Sequence, residues 1–169
     1  DAHGRDHVSK AKMAFDENHN IVGFQIDTLA NLGAYMSLFS SSVPTYLYAT
    51  LLSGQYNIPN IHCNVKTVYT NTVPVDAYRG AGRPEATYLV ERMIDRAARE
   101  LGVDPLELRR INFIKPAQFP YTSATGETYD VGDFDRVLNR VAEMADSAGF
   151  AARRAADAKR GLLRGQGLC

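Results

Sequence analysis

The chain has 169 residues, enough for one domain with its own core. Its 19 basic and 19 acidic residues cancel, so there is no net electrostatic drive toward nucleic acid or an anionic membrane. No apolar run approaches the roughly 20 residues of a membrane-spanning helix, and the 45% hydrophobic content is that of a globular protein.

The longest apolar-leaning stretch, Ser37 to Leu52, is broken by serines, threonines and Pro44. No basic segment precedes an apolar one, so no signal peptide is visible, and a reducing cytoplasm suits two unpaired thiols, Cys63 and Cys169. Residue 1 is Asp1 rather than Met, and Arg160 to Cys169 resembles a strand just begun. The expectation is a piece of a longer protein.

The first third reads as sheet. Val8 to Phe15 alternates, Glu17 to Asn20 is turn-forming with asparagines suited to left-handed geometry, and Ile21 to Ala30 supplies Ile21, Phe24, Ile26 and Leu29, which together predict a hairpin. Gly33 to Tyr56 reads as a helix or a surface excursion. Val65 to Asn71 alternates and predicts a strand with no clear apolar side. Pro84 then opens a helix with Glu85 in its first turn. Leu89, Val90, Met93, Ile94, Ala97 and Leu101 make its buried stripe, and Glu91, Arg92, Asp95, Arg96 and Arg99 its wet face. Gly102 suits the C-terminal cap. Asp104-Pro105-Leu106-Glu107 starts a short helix through about Asn112, close to a capping box. Lys115 to Asp133, punctuated by Pro116, Pro120, Gly126 and Gly132, reads as loop or linker. Asp133 caps a third helix with Phe134, Val137, Leu138, Val141 and Ala145 buried and Gly149 at its end. Ala151 to Lys159 adds a short helix. The fold class is α+β.

The most informative segment is Thr70 to Glu85. A strand enters, a helix leaves, and between them stand Arg79, Gly80, Gly82 and Arg83. Glycines let backbone N–H groups approach a ligand, the helix start adds unpaired donors, and two guanidiniums add charge. Such a loop suits a phosphate, an oxo group or another electron-rich ligand. It lacks the Gly-Lys-Ser/Thr of a Walker loop, and Glu85 stands where a dinucleotide fingerprint needs its third glycine. A plain tight turn also accounts for these residue types.

Ala77-Tyr78-Arg79-Gly80-Ala81-Gly82-Arg83-Pro84-Glu85-Ala86 resembles the active-site loop of large subunits in the xanthine oxidase / aerobic carbon monoxide dehydrogenase family, of the form II kind. Asp1 to His7, Asn31 to Tyr35, Tyr56 to Asn60, Thr70 to Thr72, Asp104 to Asn112 and Phe119 to Tyr121 fit the same family in order. The resemblance implies a mixed sheet with packed helices. Residues 1–115 would belong to a first molybdenum-cofactor-binding domain, and 116–169 to a linker and the start of a second. It implies a molybdopterin cytosine dinucleotide carrying Mo, held partly by Arg79, Gly80, Ala81, Gly82 and Arg83. It also implies 2Fe-2S clusters and FAD on a small and a medium partner subunit, in a dimer of heterotrimers. The reaction class is oxidative hydroxylation with water as oxygen source. A substrate pocket near Leu47, Tyr78 and Ala81 follows from the same alignment. Gly80 stands where copper-holding relatives have cysteine, and Ala81 and Leu47 where purine-oxidising relatives have an aromatic residue and an arginine. An aldehyde, N-heterocycle or similar small substrate is therefore expected. The general-base glutamate is expected beyond Cys169, so no catalytic residue and no metal ligand is assigned within the chain.

Other candidates carry less chemistry. His3 and His7, and His62 beside Cys63, are expected to be structural, and His19 solvated. Asp130, Asp133 and Asp135 lack calcium-loop spacing. Two other functions use the same loop: a non-catalytic anion- or nucleotide-binding module, and a family scaffold without chemistry. Cut from its sheet, the fragment alone is expected to fold poorly.

Overall fold

The computed structural model describes residues 2–168. Strands β1 (His7–Phe15) and β2 (Ile21–Asn31) form the expected antiparallel hairpin, running from His7 opposite Ala30 to Phe15 opposite Ile21. In the turn, His19 rather than an asparagine takes the left-handed conformation, at φ 65°. It is half-buried, and its carbonyl accepts from the Asn112 amide (2.9 Å). Asp16 ties the turn by accepting from the N–H groups of Asn18 and Asn20.

Strand β3 (Ile61–Val68) starts and ends earlier than the alternation from Val65 to Asn71 suggests. It pairs parallel to β2, from Phe24 beside Ile61 to Asn31 beside Val68. Its side-chain pattern becomes clear only from that pairing, which turns Ile61, Cys63 and Val65 toward the core. Parallel neighbours require a crossover. Here residues 32–60 supply it mostly as irregular chain, with one short helix, α1 (Tyr46–Ala49).

Helix α2 (Arg83–Leu101) lies across the sheet. Ala86, Val90, Ile94 and Ala98, spaced four apart, are each at most 2% exposed and share one core cluster with Ile21, Phe24 and Ile26 of β2. Burying each isoleucine contributes about 1.5–3 kcal/mol, so this seam fixes the helix on the sheet. Two details of the expected helix change. Leu101 is 41% exposed. Glu91, placed on the wet face by periodicity, is buried, because helix α3 (Pro105–Asn112) returns Arg109 against it. Asp104 caps α3 as expected, accepting from the Leu106 and Glu107 N–H groups.

The punctuated stretch from Lys115 is not bare linker. It holds a 3-10 turn and a small hairpin, β4 (Tyr121–Thr122) with β5 (Thr128–Tyr129). The Tyr129 hydroxyl donates to the Gly54 carbonyl (2.8 Å) and the Thr125 hydroxyl to the Thr50 carbonyl (2.7 Å), fastening the hairpin to the crossover. Helix α4 (Phe134–Met144) is capped by Asp133, but Val137 and Val141 of its expected buried stripe are 61% and 50% exposed. It ends at Met144 rather than at Gly149, where Asp146 turns left-handed. Helix α5 (Phe150–Ala158) follows.

Candidate functional site

The loop is suspended between three parts of the chain. After β3, one buried amide gathers the strands' ends. Asn31 Oδ1 accepts from the Gly33 N–H (2.7 Å) and the Thr70 hydroxyl (2.9 Å). Its Nδ2 donates to Asp6 (2.8 Å) and to the Thr72 hydroxyl (3.0 Å). Both donors and both acceptor positions of this carboxamide are thus used inside the protein. Gly33 adopts φ +77°, and a Cβ there would stand 2.3 Å from the Val73 carbonyl oxygen, so only glycine lets the chain cross. The strand that sequence expected to run into the loop is therefore absent beyond Val68. Instead Pro74 to Asp76 run beside the N-terminal segment. The His3 N–H donates to the Pro74 carbonyl (3.1 Å), and the Asp76 N–H to the His3 carbonyl (3.0 Å).

The loop itself is two successive turns. The Ala81 N–H donates to the Tyr78 carbonyl (2.8 Å) and the Arg83 N–H to the Gly80 carbonyl (2.9 Å). Gly80 and Gly82 take φ +88° and +82°. A Cβ on Gly82 would lie 2.4 Å from the backbone C and O of Leu47, so the loop rests directly on the start of α1. Leu47, Ala81 and Gly82 are thereby brought together, with Leu47 and Ala81 half-buried. Tyr78, Arg79, Gly80 and Arg83 lie exposed. Among the described residues, the N–H groups of Tyr78, Arg79 and Gly80 meet no protein acceptor, and Arg79 and Arg83 have no carboxylate partner. The result is an outward rim of free amides and two guanidiniums on a floor without side chains at two positions. It fits an electron-rich group that accepts hydrogen bonds.

Arg5 braces the rim from behind. Its Nη2 donates to the Arg79 carbonyl (3.0 Å), its Nε lies 3.1 Å from Glu85 Oε1, and its guanidinium sits 5.2 Å from the centre of the Tyr78 ring. The Glu85 side chain is 6% exposed, and its Oε2 has no hydrogen-bond partner. A cleft of about 480 Å³ opens there, lined by Arg5, His7, Ser9, Tyr48, Glu85 and Tyr88 among others. Burial holds His7 below its ordinary pKa against the opposing pull of Glu85 and Asp6. Burial pushes Tyr48 up, opposed by its hydrogen bond with Thr28. A wider cleft of about 590 Å³ lies across β2 and Pro59 to His62, but Lys12, Gln25, Asn60 and His62 bring no converging chemistry to it.

The remaining histidines and acids are dispersed. His3 bridges to Val75, while His7 packs edge-on against Tyr48. His62 is exposed on β3, and Cys63 turns toward the core with a thiol pKa raised by burial and by Asp27. Asp133 caps α4, Asp135 pairs with Lys115 (2.8 Å), and Asp130 binds the N–H of Val131. Among the described residues, no three His, Cys, Asp or Glu side chains group as a metal site. Cys169 lies outside the described residues. Sequence reasoning missed Arg5 and the Asn31 junction. Arg5 makes its contacts 74 and 80 positions away, and no local periodicity reports that.

Comparison with known proteins identifies the family. The family described as molybdopterin cofactor-binding domain matches residues 1–113. The chain is 38% identical over 173 residues to the carbon monoxide dehydrogenase large chain of Hydrogenophaga pseudoflava, covering 99% of this chain and 21% of that one. It is 30% identical to the nicotine 6-hydroxylase large subunit of Paenarthrobacter nicotinovorans, covering 99% and 20%. The crystal structure of quinoline 2-oxidoreductase from Pseudomonas putida 86 superposes with a TM-score of 0.88 at 31% identity, over 95% of this chain and 20% of that one. The chain therefore spans about a fifth of the length of these relatives. By sequence and by fold, the chain belongs to the molybdopterin cofactor-binding domain family.

Proposed function

We propose that this chain is part of the large subunit of a molybdenum hydroxylase, and that its loop from Tyr78 to Arg83 lies against the cofactor. The observation that carries the reading is the rim of unpaired amides at Tyr78, Arg79 and Gly80, seated on a glycine-floored turn. When bound, a molybdopterin supplies a metal centre that takes two electrons from the substrate, while water supplies the oxygen. The protein's part is to hold and exclude. Gly80 and Gly82 let the backbone come close, and Arg79 and Arg83 offset negative charge. Half-buried Ala81 and Leu47 leave an uncharged space, with Tyr78 at its edge. Glu85 is committed to Arg5, so the general base comes from another part of the subunit.

The substrate is a small N-heterocycle or aldehyde. Relatives named nicotine 6-hydroxylase and quinoline 2-oxidoreductase support the first, and the aldehyde oxidoreductase of Megalodesulfovibrio gigas supports the second. Copper-dependent oxidation of carbon monoxide has no thiol at Gly80 to support it. The cofactor is the cytosine dinucleotide form. The partners are an iron–sulfur small subunit and an FAD-binding medium subunit in a dimer of heterotrimers, in the cytoplasm. Relatives named as a large chain and as subunit gamma of a complex support several subunits. No described helix is long and apolar enough to cross a membrane. Residues 1–115 are part of a first cofactor-binding domain, and 116–169 are a linker and the start of a second.

The test is the full-length subunit made with its partners in a molybdenum-replete host. Stoichiometric molybdenum and transfer of heavy oxygen from water into quinoline or an aldehyde are expected. Folded subunit without molybdenum overturns the reading, and binding of a simple nucleotide in its place would favour an anion-binding module. Metal without turnover would favour a scaffold that has lost its chemistry.

A further inference from the structure

We propose that Arg5 and Glu85 are positioning residues that set the direction in which the loop presents the Gly80 N–H. The inference rests on the functional reading above and deepens it at the same site.

A trans peptide directs its C=O and its N–H to opposite sides. Arg5 Nη2 binds the Arg79 carbonyl (3.0 Å), so the N–H of Gly80, in the same peptide, faces away from Arg5. Glycine is the residue least able to hold such an orientation by itself, because it rotates freely through positive φ. The loop's own turn bonds bracket this peptide without gripping its carbonyl, and a further restraint comes from outside the loop. Arg5 supplies it with one rigid guanidinium that makes three contacts: the Arg79 carbonyl, Glu85 Oε1 at 3.1 Å, and the face of Tyr78 at 5.2 Å. Gly4 adds to the brace. A Cβ there would press on the Tyr78 Cβ at 3.3 Å, which shows how closely the two segments pack.

Glu85 anchors the arginine. Its side chain is 6% exposed, yet Oε2 receives no hydrogen bond. A fold selecting only for stability would leave a solvated or fully bonded side chain there, since an unmet buried oxygen is destabilising. The carboxylate is instead aimed at one fork of Arg5. Lysine cannot substitute for this arginine. Its ammonium can meet Glu85 or the Arg79 carbonyl, but it has no planar fork to span both while lying on Tyr78.

The experiment uses the full-length subunit assembled with its partners, as wild type, Arg5→Lys, Glu85→Ala and Glu85→Gln. Three quantities are read: hydrogen exchange of residues 78–83 against that of β1 to β3, the electron paramagnetic resonance spectrum of Mo(V), and kcat and KM separately. Arg5→Lys and Glu85→Ala are expected to speed exchange in the loop and leave the sheet unchanged. They shift the Mo(V) spectrum, and lower kcat by at least about tenfold with KM changed by less than about twofold. Glu85→Gln keeps an oxygen for Arg5 Nε and falls between wild type and Glu85→Ala on each scale. The proposal is overturned if loop exchange and spectrum stay wild type in Arg5→Lys and Glu85→Ala. It is equally overturned if kcat falls only in step with molybdenum content while the whole sheet exchanges faster, since that is a prop and not a positioning device. Should Arg5→Lys fail to accumulate, the two Glu85 variants decide by the same readouts. Wild-type protein without molybdenum would sink the functional reading, whereas loop exchange in the variants would still decide the clamp.

Discussion

Replacing Arg109 by methionine tests the account of the core. The Arg109 side chain is 3% exposed and that of Glu91 is 8%. Arg109 reaches Glu91 Oε2 through Nε (3.0 Å) and Nη2 (2.7 Å), Asp95 through Nη2 (3.0 Å), and the Pro105 carbonyl through Nη1 (3.0 Å). Methionine fills much of the volume and makes none of these bonds. Glu91 keeps the Tyr56 hydroxyl (2.8 Å) and the Gln55 amide (3.2 Å) on Oε1, but its charge loses its counterion. Breaking one side of a buried pair costs about 3–5 kcal/mol, and the surviving tyrosine bond places this case near the lower figure. Against a domain stability of about 5–15 kcal/mol that is a large share. Glu91→Leu with Arg109→Met removes both charges and is expected to recover part of the loss, because apolar replacement of a buried pair is often neutral but here leaves the buried Tyr56 hydroxyl without its acceptor. Hydrogen exchange of α2 amides in the full-length subunit measures the local opening free energy without assuming two-state unfolding of the whole. A loss below about 1 kcal/mol in Arg109→Met, or a double variant equal to the sum of the singles, would refute the argument.

Gly82→Ala combines left-handed strain of about 1–2 kcal/mol with a Cβ 2.4 Å from the Leu47 backbone, whereas Gly102→Ala at φ +69° meets nothing within 4 Å. Only Gly82→Ala should therefore lose molybdenum on metal analysis, and full occupancy in that variant would contradict the site. Because burial lowers the pKa of His7, the unfolded chain protonates first as the solution is acidified. Stability is complete above the ordinary value of about 6.5 and falls as pH drops through it toward the lower folded value. A His7→Gln variant should show a flatter dependence of melting temperature on pH, and an unchanged slope would discount the effect. Burial, with Asp27, raises the Cys63 thiol pKa, so peptide-resolved alkylation at neutral pH should run slower at Cys63 than at a free thiol. Equal rates would count against its packing on the core.

The sequence carried the hairpin, α2 and the caps of α2 and α3 because their signals are local: period, a proline, a glycine, an aspartate. It placed β3 several residues late, since Ile61 to Val68 acquires a face only beside β2. Glu91 and Arg109 each look like surface charges until α3 folds back on α2. Val137 and Val141 match helical spacing without being covered. From residue types alone the loop read equally as a ligand cradle or as a plain tight turn. What holds it was not legible, because Arg5 and Asn31 act across dozens of residues.

The Asn31 junction sets a chemical vulnerability. Its amide nitrogen faces the Asp6 carboxylate at 2.8 Å, and the same carboxamide latches Gly33, Thr70 and Thr72. Hydrolysis of that carboxamide to an acid would exchange two donors for a negative charge aimed at another negative charge. Ageing at this one side chain would unfasten the strand ends from the N-terminal segment without cutting any peptide bond.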